Sequence, residues 1–158
     1  MSKYAEYRCD KIRKQELLLA ALDRCGYTAD KVEVHVKPVR LVGYEGKRRQ
    51  EEAHVIIRRQ NTGIGMSNDI GFVRGADGVF RAIVSEYDQG SLRVTLDGQR
   101  LPFVQAVQKA YAAVTADKAV RTILMTTIPR MKQQGLLPQN ATVRRVTEGT
   151  VTRIVATA

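Results

Sequence analysis

The sequence predicts an α+β domain, an antiparallel sheet with helices packed on one face and a carboxy-terminal hairpin. Three observations carry that prediction. Ala53–Asp88 contains three runs rich in β-branched and aromatic residues, AHVIIRRQ, DIGFVRG and VFRAIVSEYD, with Gly- and Asn-containing turns between them. That pattern is a three-stranded meander. Leu17, Leu18, Ala21, Leu22 and Cys25 recur at three- and four-residue steps, one face of a helix. The tail ATVRRVTEGTVTRIVA places two β-rich runs around Glu148-Gly149, a closing hairpin. Strands grouped together, with helices before and after them, give segregated layers rather than alternating β-α units. A chain of 158 residues fits one such domain over residues 1–158, with neither a repeat nor a linker to divide it.

Each element has its own justification. Lys3–Cys9 is short and aromatic and reads as a strand, with Asp10 after it as the N-cap of a helix over Ile12–Cys25. Gly26 stands where a left-handed C′ residue ends that helix. In Lys31–Val42 the alternation Val32, Val34, Val36 changes phase after Pro38 to Val39 and Leu41. Strand side chains alternate with period two, so the change predicts a bulge or break at Pro38 and an edge position. Gly43–Glu52 reads as a polar turn carrying the basic run Lys47-Arg48-Arg49.

Val55, Ile56 and Ile57 are consecutive apolar residues, which predicts a central strand covered on both faces. Ile70 and Phe72 alternate with Gly71, and Gly75-Ala76-Asp77-Gly78 supplies the residues of a tight hairpin before Phe80, Ala82 and Val84. Leu92, Val94 and Leu96 form a fourth alternation, closed by Asp97-Gly98. Phe103, Val107, Ala110, Tyr111 and Val114 then fall on a helical stripe. A second stripe follows Asp117, through Val120, Ile123, Leu124, Thr127, Ile128 and Met131. Pro129 predicts a kink or restart there, and Gly135 the end.

Twenty-six Lys and Arg against 16 Asp and Glu leave a net charge of +10, which attracts polyanions through the long-range field. Lys47, Arg48, Arg49, Arg58 and Arg59 cluster on or beside the meander and are the candidate polyanion-binding residues, with RNA as one ligand. Base stacking would draw on Tyr4, Tyr7, Tyr44, Phe72, Phe80 and Tyr87, although strand aromatics more often belong to a core. One alternative to a polyanion site is a solvated basic surface; another is a protein-interaction adaptor, with the edge strand near Pro38 and the basic Lys47–Arg49 loop as contact points.

Chemistry is less well supported. His35 and His54 lack the spacing of a metal motif, and no catalytic residue, cofactor or metal is expected. Thr62–Ser67 has paired glycines, but the strand after it offers no helix N-terminus to a phosphate. Cys9 and Cys25 read as small buried hydrophobes in a reduced chain. The start, MSKYAEYRCDKIRK, has no hydrophobic stretch for export, which predicts a cytoplasmic protein with no membrane contact.

Lys11-Ile12-Arg13 with Leu17, Leu18, Ala21, Leu22, Gly26 and Tyr27, then Val42–Gly46 (VGYEG), a strand ending IIRRQ and Asp69–Phe72 (DIGF) resemble a family of hypothetical plastid open reading frames. The family is a domain of unknown function, found also in cyanobacteria and other bacteria. The likeness is strongest over residues 4–88, while Thr115–Met125 looks like additional length. It implies a compact fold and brings no catalytic residues. Some members lie near genes for ATPases of the AAA+ type, so the resemblance also implies an accessory role beside such an ATPase. The expectation is a small, basic, non-enzymatic accessory protein that binds RNA or another polyanion, or adapts a protein partner.

Overall fold

Strands β1 (Tyr4–Arg8), β2 (Val32–Val42), β3 (Arg48–Ile57), β4 (Ile70–Arg74) and β5 (Phe80–Ser85) pair antiparallel in the order β1-β5-β4-β3-β2. The computed structural model describes residues 3–149 and 151–157. The fold is α+β as the sequence predicts. The predicted meander is β3-β4-β5, and β3 lies inside the sheet with Val55, Ile56 and Ile57 all fully buried.

The two faces of the sheet explain that continuous burial. Val55, Ile57, Phe72, Ala82 and Val84 meet helix α1 (Gln15–Arg24) and the start of helix α3 (Phe103–Thr122) in the main core. Ile56 turns to the other face and packs with Leu41, Ala53 and Ile83. Helix α1 begins later than the sequence suggests. Lys14 is its N-cap without a side-chain bond, and Asp10 pairs with Arg8 instead of capping. A missing cap forfeits about 1 kcal/mol, whereas burying each of Leu17, Leu18 and Leu22 contributes about 2 kcal/mol, so packing decides that the helix forms. Gly26 ends it at φ 91°.

Strand β2 is an edge, as Pro38 predicts, and its register against β3 shifts between Val34 and Val39. His35, Val36, Lys37 and Pro38 therefore form an excursion between two short stretches of ladder. The polar turn is narrower than expected. It occupies residues 44–46, and Arg48 and Arg49 already belong to β3. Two further elements escape the sequence reading. Ser85 ends β5 and caps helix α2 (Glu86–Ser91) by accepting the Asp88 N–H. Strand β6 (Arg93–Leu96) also finds a partner in β7 (Gln99–Pro102), across an Asp97-Gly98 turn with positive φ at both residues.

The chain divides into two compact units, Met1–Val114 and Thr115–Ala158. The first holds everything above up to the buried part of α3. In the second, α3 finishes and a π-helical turn over Ile123–Thr127 leads into helix α4 (Ile128–Gln133). No break occurs at Asp117. Pro129 falls in the first turn of α4, directly after the widened π turn, where its missing N–H is least disruptive. Gly135, at φ 71°, ends the helix, with Leu136 N–H bonded to the Met131 carbonyl. The predicted hairpin is β8 (Thr142–Glu148) paired with β9 (Val151–Thr157).

Candidate polyanion-binding groove

The bulged edge strand, the start of β3 and the turn after its end enclose an open groove of about 640 Å³. Arg40, Arg48, Arg58, Arg59 and His35 line it, with the Asp69 carboxylate in its wall. Local structure explains the convergence. Arg58 and Arg59 follow the buried run Val55–Ile57, where the strand gives way to a 3₁₀ turn. Arg48 and Arg40 come from facing strands near the Tyr44–Gly46 turn.

Asp69 is the organising residue. Its side chain is 1% exposed and accepts from the N–H groups of Val42 and Arg59, each at 2.8 Å, and from Arg58 Nη1, also at 2.8 Å. It thereby joins the end of β2, the end of β3 and the start of β4. Glu33 takes the rest of Arg58 in a two-pronged pair, Nε to Oε1 at 2.8 Å and Nη2 to Oε2 at 2.6 Å. These contacts hold the Glu33 carboxyl below the usual carboxylate range, the Arg58 hydrogen bonds being the main cause. Arg58 is in turn pushed further toward its protonated form, chiefly by Glu33. His35 Nε2 donates to the same Glu33 carboxylate at 3.0 Å.

The four arginines thus differ in freedom. Arg58 is fixed by two carboxylates, and Arg59 Nη1 donates to the Tyr44 carbonyl. Arg40 is exposed and 3.7 Å from Glu52. Arg48 is exposed and, among the described residues, meets no carboxylate. The groove has a fixed floor, in which Glu33 and Asp69 offset Arg58 and Arg59, and a loose cationic rim of Arg40 and Arg48.

Of the five residues singled out in the sequence, Arg48, Arg58 and Arg59 come together here. Lys47 and Arg49 do not line the groove. Lys47 is exposed beside Glu45 at 3.2 Å, and the Arg49 guanidinium lies over the Tyr4 ring, 5.3 Å from its centroid. The reason is the strand itself: once Arg48 and Arg49 lie in β3, neighbouring side chains point to opposite faces and cannot act as one cluster. Arg40 and His35 join the groove across the bulge, and no local spacing announces that.

The aromatic residues considered for base stacking are mostly inside. Phe72 and Phe80 are in the core, Tyr4, Tyr7 and Tyr44 are half-buried, and Tyr87 alone is exposed among the described aromatics. A second polar cluster, Ser67, Asn68, Ser85 and Asp88, is buried and satisfies itself. Asp88 accepts from Ser67 Oγ at 2.7 Å and Asn68 Nδ2 at 2.9 Å, so it acts as a tie between chain segments. Among the described residues no group of three His, Cys, Asp or Glu side chains is placed to hold a metal ion. No described helix is long and apolar enough to cross a membrane.

No family model, curated protein or solved structure matches the chain. The functional reading therefore rests on the groove.

Proposed function

We propose that this chain is a non-enzymatic binding protein whose first unit takes RNA or another polyanion in the arginine-lined groove. The supporting observation is the convergence of Arg40, Arg48, Arg58 and Arg59 on one concave surface, two of them already immobilised. A guanidinium held in place before binding loses less conformational entropy when a phosphate arrives. The net charge of +10 adds long-range attraction.

The test is the salt dependence of binding to a labelled oligouridylate. Each phosphate neutralised contributes about −0.7 to the log–log slope, so several contacts give a slope steeper than about −2. Arg40→Gln with Arg48→Gln should flatten it by about 1.4 while leaving the melting temperature intact. Lys47→Gln, outside the groove, serves as the control. Absence of binding at low salt would remove the proposal.

A second reading is an adaptor for a protein partner, an AAA+ type ATPase in the resemblance noted above. It draws on the open edge of β2, where Val36 is 98% exposed and Val34 46%. The two exposed valines would be the apolar contact for a partner's surface.

A further inference from the structure

We infer that the polyanion is an extended nucleic-acid strand that crosses the β2 excursion and is held through its phosphates, its bases unread. This deepens the proposed function and rests on it. A second groove, of about 300 Å³, is lined by His35, His54, Arg74 and Gln15 together with the exposed Val34 and Val36. His35 also lines the arginine groove, so the two are contiguous at the excursion. Cationic side chains are thus placed from Arg48 and Arg40, past His35 and its partner Glu33, to Arg74. A small anion would occupy one groove; a chain of phosphates can follow both.

The polar groups of the second groove are suited to phosphate oxygens. Arg74 is exposed. His54 Nδ1 accepts the Arg74 backbone N–H at 3.2 Å, which leaves the proton on Nε2, a donor. His35 donates through Nε2 to Glu33, so its ring is oriented. Neither groove is lined by a Phe, Tyr or Trp ring; the rings they hold are the imidazoles of His35 and His54, each already engaged in a hydrogen bond. Tyr87, the exposed aromatic, hydrogen-bonds through its hydroxyl to the Gly65 carbonyl and lines neither. Sequence-tolerant proteins for single strands ordinarily combine a basic groove with stacking platforms. Here the large stacking platforms are missing from both grooves, which leaves backbone charge as the recognised feature.

The experiment uses the full chain with labelled oligouridylate and oligoadenylate of equal length, the variant Arg74→Gln, and pyrophosphate as a short competitor. The two oligomers should bind within about threefold of each other, since neither groove offers a Phe, Tyr or Trp platform for base-dependent stacking. Arg74→Gln should flatten the salt slope by about 0.7 at unchanged melting temperature. Pyrophosphate, at equal phosphate concentration, should displace little of the oligomer. A base preference above about tenfold overturns phosphate-only recognition. An unchanged slope in Arg74→Gln, or full displacement by pyrophosphate, overturns the extended track and leaves the first groove as a local anion site. Failure of every oligomer to bind removes the proposed function itself, an outcome distinct from the other three.

Discussion

The Tyr111 hydroxyl, on α3, accepts the backbone N–H of Lys14 at 3.2 Å and that of Arg13 at the same distance. A side chain about a hundred residues away thus satisfies the N–H groups of the N-cap residue and of the residue before it, and fixes the chain's entry into helix α1. The ring is buried, 5% exposed, against the same core that α1 covers. Tyr111→Phe keeps the packing and deletes the acceptor. It should destabilise the chain by about 1–3 kcal/mol in urea unfolding, the loss for backbone donors left without a partner. An unchanged midpoint would mean that water serves these two donors equally well.

Gly71 sits where β4 passes the second core. A Cβ built there would lie 2.5 Å from Ala53 Cβ and 3.1 Å from Leu41 Cδ2. Gly71→Ala should therefore lose about 1–3 kcal/mol by overpacking. Combining it with Ala53→Gly should recover part of that loss, and strict additivity in the double variant would show that the contact is not the cause.

Arg58 couples the groove to the stability of the sheet. Arg58→Ala leaves the buried Asp69 without its cation and should lose about 3 kcal/mol, in contrast with the exposed Arg40 and Arg48. Arg58→Lys should recover only part, because an ammonium cannot serve Glu33 and Asp69 with the same fork. Thermal melts at pH 7 of Arg58→Ala, Arg58→Lys and the Arg40→Gln, Arg48→Gln double variant separate these cases.

Glu33 gives the pair a pH signature. Its folded pKa is depressed, so its contribution is fully present above the unfolded value of about 4.3 and is lost as pH falls through the folded value. The wild type should lose melting temperature more steeply than Glu33→Gln on acidification below about pH 4. Parallel acid limbs in the two proteins would assign the loss to other carboxylates.

Cys9 and Cys25 are buried free thiols, and burial pushes the Cys25 thiol up to about 11. With the folded value above the unfolded one, the associated stability is present below the unfolded thiol value and is lost as pH rises toward 11. At pH 8 a thiol reagent should label Cys25 only as the chain opens, and denaturant should release the reaction. Rapid labelling of the native protein would contradict that burial.

Much of this fold was legible where local chemistry and tertiary need coincide. The meander follows from turns bounding β-branched runs, and the Gly26 and Gly135 ends follow from left-handed backbone that glycine adopts freely. Pro38 announced the interruption of β2. Gln99–Pro102 has little strand propensity of its own and pairs because the Asp97-Gly98 turn folds it back on β6. Residues 86–88 read as strand continuation because Tyr87 resembles a β residue, yet the Ser85 cap diverts the chain. In the groove, Arg58 and Arg59 were visible as an adjacent pair. Arg40 was not, since its position depends on how β2 closes on β3 after the excursion.

That excursion also bears on how copies of the chain treat one another. The five-stranded sheet ends on one side in β1, only five residues long, and on the other in β2. Strand β2 keeps unbroken register with β3 only over Val32–Val34 before His35–Pro38 leave the ladder. Cross-β stacking uses uninterrupted segments of about six or seven residues. A strand approaching from a neighbouring molecule meets a short template, then a proline that offers no N–H. The same kink that shapes a concave basic surface thus discourages edge-to-edge polymerisation of this sheet.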